Sequence, residues 1–128
     1  MPMLPATFFL TGIFALMLVI LSLNVSFRRR AVMVGYGDGD DKTLRVRMRA
    51  HGNFTENAPL AILVCAGLEF SGTAGNWVWL VALAFIVSRL LHALGTLYVP
   101  GPAPRGAAMV IQHVSFVLAG VWLIVLAF

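Results

Sequence analysis

The chain has 128 residues, of which 60% are hydrophobic and only 11% charged, whereas a water-soluble domain carries roughly a quarter charged residues, so there is too little polar surface to cover a water-facing globule. The formal net charge of +4 would raise the question of nucleic acid in a soluble protein, but in so apolar a chain it reports how loops are oriented across a bilayer. Composition therefore excludes a soluble enzyme and a nucleic-acid-binding protein and implies an integral membrane protein.

The first apolar run, residues 7–27 (TFFLTGIFALMLVILSLNVSF), has about the 20 residues that span a bilayer as helix. No basic residue precedes it, and Arg28, Arg29 and Arg30 follow it directly. A secretory signal has the opposite order, so the run is expected to be a retained helix whose C-terminal end is cytoplasmic. The linker AVMVGYGDGDDKT has turn chemistry and no period. Its Asp38, Asp40 and Asp41 lack the bidentate glutamate and spacing of a calcium-binding EF-hand, so a solvated loop is expected.

A second helix is expected over residues 44–70, beginning with Arg45, Arg47 and Arg49 and becoming apolar after Pro59. Pro59 should kink it or free a carbonyl. Cys65, the lone cysteine, reads as a small packing residue, and Glu69 as a solvated helix end or, in the alternative, a residue with an interhelical partner. After the turn SGTAGN, a third helix over 77–98 has Trp77, Trp79 and Tyr98 as interfacial anchors and holds Arg89, His92 and Thr96 inside. The segment VPGPAP stops it, and Arg105 opens a fourth helix over 105–127. The expected fold is all-α, a four-helix multi-pass membrane bundle forming one domain. Lysine and arginine are absent from the N-terminus and from the SGTAGN turn, so the positive-inside rule leaves both termini non-cytoplasmic.

The polar residues within these spans are concentrated near the cytoplasmic side. Arg49, Asn53 and Glu56 lie at i, i+4 and i+7, in the first turns of the second helix; Arg89, His92 and Thr96 lie at i, i+3 and i+7, approaching the same side. Gln112 and His113 occupy the same half of the fourth helix. Two polar faces turned toward each other, with Glu56 paired to Arg89, would lower the cost of burying both charges. That pair is either an internal clamp or part of a site, Asn53 either an interhelical hydrogen bond or a ligand contact, and His92 by itself a satisfied core histidine. Guanidinium groups clamp carboxylates and a glutamate takes an ammonium, so the set suits a small anionic or zwitterionic ligand. His51, His92 and His113 have no metal-ligand spacing, and no nucleotide-binding glycine motif or serine elbow is present.

The segment RAHGNFTENAP, with Arg49, Asn53 and Glu56 spaced R-x-x-x-N-x-x-E ahead of Pro59, resembles the hallmark of the MAPEG family, the membrane-associated proteins in eicosanoid and glutathione metabolism. The arginines closing the first helix, the segment RLLHALG and the arginine heading the fourth helix extend the resemblance over nearly the whole chain. It implies a homotrimer of four-helix subunits with glutathione as co-substrate between neighbours near the cytoplasmic face. Asn53 and Glu56 would bind the glutathione backbone, Arg49 and His92 would contact it, and Arg29 and Arg30 would reach the tripeptide bound by the adjacent subunit. Arg105 resembles the arginine that stabilises the glutathione thiolate in catalytic members. Thr96 stands where several eukaryotic members carry a tyrosine, so an aromatic hydroxyl would have to come from Tyr98; Arg89 would support the site. The resemblance to the compact bacterial branch implies a bacterial inner membrane.

The expected function is a glutathione-dependent transferase or peroxidase acting on a lipophilic small molecule among membrane lipids. The alternatives are a non-catalytic lipid- or ligand-binding protein of the same fold, or a structural subunit. A small multidrug exporter would need a carboxylate deep in its first helix, and none is there.

Overall fold

Pro5 has no N–H to leave unpaired and a φ already suited to helix, and in the computed structural model, which describes residues 3–128, it opens α1, Pro5–Ala31. The remaining elements are α2, Lys42–Phe70, α3, Gly75–Leu97, and α4, Ala103–Leu126. Helix α1 extends past both ends of the apolar run 7–27, because Arg28, Arg29 and Arg30 lie in its last turn, where cations complement the negative end of the helix dipole. Pro59 sits inside a continuous α2.

Helix α1 has no side-chain cap of its own and no acidic residue in its first turn. Glu69, expected as a solvated helix end with an interhelical partner as the alternative, takes the alternative and caps it from α2: its Oε1 accepts from the amide of Ala6 and its Oε2 from that of Thr7, each at 2.9 Å. The unpaired N–H groups and positive dipole end of a helix starting in an apolar setting attract such a carboxylate.

At the other end, the linker is the solvated loop expected, and its carboxylates tie it down. Asp41 caps α2 by accepting from the Leu44 amide at 2.6 Å and also takes Arg28 Nε at 3.1 Å and Nη2 at 2.6 Å. The Arg28 guanidinium, then the Leu44 amide, hold the Asp41 carboxyl down at about 2. Asp38 accepts from Arg45 Nε at 2.5 Å, and that bond lowers its pKa too. The bend that brings these groups together passes through Gly37 and Gly39 at φ of 63° and 55°, the left-handed region that glycine adopts without a Cβ clash.

Ala6, Leu10, Phe14, Met17 and Leu21 recur every three or four residues and form the buried stripe of α1. Phe14 meets Phe54 of α2 edge-on, ring centroids 5.2 Å apart, a geometry worth about 0.5–1.5 kcal/mol beyond its buried area. Helix α1 packs on α2 and α3, α4 packs on the same two, and α1 and α4 do not touch; α2 and α3 are the short diagonal of the bundle. Small buried residues such as Ala58, Ala61, Ala82 and Ala119 let backbones approach. Three helices, α1, α3 and α4, are long and apolar enough to cross a membrane. The 29-residue α2 carries the charged stripe and is instead the polar member of the bundle, flanked by α1, α3 and α4. Residues such as Val19, Ile20, Val117 and Ile124 remain on the outside, where lipid is their solvent.

Candidate functional site

Residues three apart on a helix are rotated by about 60° from one another, and on α2 this rotation separates Asn53 from Glu56. Asn53 is half-buried and faces α3; Glu56 is exposed. Arg89, only 3% exposed, donates from Nη1 to Asn53 Oδ1 at 2.5 Å, and its Nη2 approaches Met109 Sδ of α4 at 4.0 Å. The expected Glu56–Arg89 pair is therefore not formed. A carboxamide accepts the guanidinium hydrogen without the desolvation penalty of a second buried charge. Arg89 Nε has no partner among the described residues.

Asn53 belongs to a chain of carboxamides. Asn57 Nδ2 donates to the Asn53 backbone oxygen at 2.7 Å, and Gln112 Nε2 of α4 donates to Asn57 Oδ1 at 2.5 Å. Sequence reasoning did not select Asn57 or Gln112 as site residues. Their signal was the i, i+4 spacing of Asn57 from Asn53 and a carboxamide in the apolar run of α4. Gln112 is 1% exposed, and a buried carboxamide needs a partner. With Oδ1 occupied by Arg89, Asn53 presents its Nδ2 hydrogens as what it has left to offer.

His92 is half-buried, and the charges that act on it are the guanidinium groups of Arg89, Arg105 and Arg49, from α3, α4 and α2. None of the three forms an ion pair; among the described residues the ion pairs join Arg28 to Asp41 and Arg45 to Asp38 and Asp40. Arg105 can lie against α3 because residue 95 is glycine: a Cβ there would stand 3.1 Å from Pro104 Cβ and 3.4 Å from the Arg105 amide nitrogen. Arg105 Nη2 donates to the Gly101 carbonyl at 3.0 Å. Thr96 is half-buried, and its hydroxyl has no partner among the described residues.

The other expected residues lie elsewhere. Tyr98 is exposed and lines a separate cavity with Lys42 and Arg47, because it is the C-cap of α3, past the helical face that carries His92. Arg29 donates to the carbonyls of Gly35 and Gly37 at 3.4 and 2.8 Å, and Arg30 is exposed; both close α1, which does not touch α4 and its Arg105. What the chain assembles by itself is a cationic cluster on α2, α3 and α4, with a donor amide at Asn53 and an exposed carboxylate at Glu56. Such a set can hold carboxylates and an ammonium.

Comparison with known proteins agrees with this architecture. The inner membrane protein YecN of Escherichia coli (strain K12) is 33% identical over 81 residues, which cover 63% of this chain and 62% of YecN. The same figures hold for YecN of Escherichia coli O6:H1, so the match spans less than two thirds of the length of each relative. No solved structure matches the chain. The sequence model of the MAPEG family matches residues 7–126, the stretch from the first turn of α1 to the end of α4. This integral membrane protein, an all-α bundle with its polar groups gathered at one end of α2, α3 and α4, belongs to the MAPEG family.

Proposed function

We propose that the protein binds glutathione, or a similar low-molecular-weight thiol, on the face shared by α2, α3 and α4, and turns its thiolate on a lipophilic electrophile or a lipid hydroperoxide. The observation that carries this reading is the cluster of Arg49, Arg89 and Arg105 around His92 without a carboxylate paired to any of them. Uncompensated charge at membrane depth is expensive, and it is retained where a ligand supplies the missing charge. Arg49 and the Asn53 amide suit the two carboxylates of the tripeptide, and Glu56 suits its ammonium. Arg105 suits the sulfur: a free thiol has a pKa of about 8.5, and a neighbouring cation lowers it.

In conjugation, the thiolate forms a carbon–sulfur bond as the leaving group departs with the bonding pair. In peroxide reduction, it attacks one oxygen of the O–O bond and an alcohol leaves after protonation; a second thiol then displaces water to give the disulfide. Membership of the family supports assembly as a homotrimer, in which a neighbour's Arg29 and Arg30 reach the same ligand. The basic loop ends support non-cytoplasmic termini in an inner membrane.

Glu56 makes a clean test, because it is exposed and among the described residues has no hydrogen-bond or ion-pair partner whose loss could unfold the chain. Calorimetric titration of glutathione into detergent-purified protein should show binding that Glu56→Ala abolishes with no change in Tm. No binding to the intact wild-type assembly would overturn the proposal. Binding without turnover on any electrophile or hydroperoxide would reassign the site to ligand binding alone.

A further inference from the structure

Residues two apart on a helix point about 200° from one another, so Arg47 and Arg49 project to opposite sides of α2. Arg49 serves the face just described. Arg47 lines a cavity of about 330 Å³ between α1, α2 and α3, together with Lys42 and Thr43 of α2, Asn24 of α1 and Tyr98 at the end of α3. Two apolar residues, Val46 and Leu97, complete its wall. At ~30 Å³ per water-sized group, the space holds about ten such groups, enough for a phosphodiester and its glycerol.

The charge in this cavity is uncompensated. Lys42 takes part in none of the ion pairs among the described residues. Among the described residues the Arg47 side chain has one hydrogen bond, from Nη1 to the Asn24 carbonyl at 2.9 Å, and a guanidinium has five N–H donors. The carboxylate whose field reaches Arg47 is that of Asp41, and both its oxygens are already engaged by Arg28 and by the Leu44 amide. The hydroxyls of Thr43 and Tyr98 add neutral donors to the two cations. The cavity lies where α1 passes into its arginines, α2 begins and α3 ends, at the level where a bilayer places its phosphates. A free anion gains nothing from an apolar wall, whereas the first methylenes of a lipid do.

We propose that this cavity is a binding site for the phosphate headgroup of an anionic phospholipid, held by Lys42 and Arg47. The site is distinct from the glutathione face and does not depend on that reading. Its test uses the full chain in nanodiscs of phosphatidylcholine containing increasing phosphatidylglycerol. The readouts are Tm and the lipid retained in native mass spectrometry. Wild type and Lys42→Arg should bind phosphatidylglycerol alike, and Lys42→Gln should bind it roughly fivefold more weakly, the effect of one basic side chain near an anionic lipid surface. Arg45→Gln, which removes the same charge at the same end of α2 but outside the cavity, should leave the affinity unchanged. Equal affinity in wild type and Lys42→Gln, or equal weakening by Arg45→Gln, would overturn the proposal. So would inorganic phosphate reproducing the stabilisation in phosphatidylcholine alone, which would make the cavity a free-anion site.

Discussion

The two sets of arginines in this protein differ in what surrounds them. Arg28 and Arg45, outside the apolar spans, are each matched to carboxylates of the linker. Arg49, Arg89 and Arg105, within the bundle or at its edge, have none. Stability alone would favour the reverse: a surface ion pair contributes little, because water and salt screen it, while an unpaired buried charge is costly. The outer pairs fix a loop and the start of α2. Arg89 and Arg105 are held by neutral acceptors, Asn53 Oδ1 and the Gly101 carbonyl, that position them without neutralising them, and the charge of the inner arginines stays available to a ligand.

This contrast gives an ordered set of tests. The largest effect is expected from Arg105→Ala, which should lower glutathione-dependent turnover by about a hundredfold or more, the usual consequence of removing one group that stabilises developing anionic charge. Glutathione affinity should change much less, and kcat against KM measured in detergent would separate the two. Equal kcat in variant and wild type would remove Arg105 from the chemistry.

Asn53 comes next, because it can be used to turn the inner set into an outer one. Asn53→Ala leaves Arg89 buried without its acceptor and should cost about 2–3 kcal/mol, as for a hydrogen bond to a charged group. Asn53→Asp supplies the carboxylate that Arg89 lacks and should keep or raise Tm while abolishing glutathione binding. Thermal unfolding paired with calorimetric titration reads both quantities. A protein stabilised by Asn53→Asp that still bound the tripeptide would break the link between unpaired charge and ligand.

Asp41→Asn should have the smallest effect. Asparagine can still cap α2, so the substitution isolates the attraction to Arg28. A barely measurable fall in Tm at neutral pH is expected, disappearing in high salt. The Asp41 pKa is lowered on folding, from 3.8 to about 2, so its contribution is complete above the ordinary value and is lost as pH falls through about 2. Melting curves of variant and wild type should therefore keep a constant separation from neutral pH down to about 4 and converge near 2.

The four helices and their family were legible in the sequence, because apolar runs of membrane length and the RAHGNFTENAP segment are local signals. The partner of Arg89 was not. Asn53 and Glu56 differ by less than one turn of α2, and the rotation of that helix against α3, which decides which of them faces inward, is set by the packing of residues such as Phe54, Ala58 and Phe85. The role of Gln112 was hidden for a related reason: its partner Asn57 lies 55 residues away, and nothing in the local pattern of α4 points to it. For Glu69 the sequence left a solvated end and an interhelical partner both open, because a residue near a helix end looks solvated until the neighbouring helix is in place, and the structure takes the second.

That last contact bears on how the bundle is made. The amides of Ala6 and Thr7 are synthesised well before their acceptor, the carboxylate of Glu69, 63 and 62 residues later. Until the last turn of α2 has been made, the far end of α1 has no acceptor for these two N–H groups, and an apolar environment charges heavily for that. The first hairpin therefore locks only when α2 is complete, giving nascent α1 a reason to wait for α2 before settling in the bilayer.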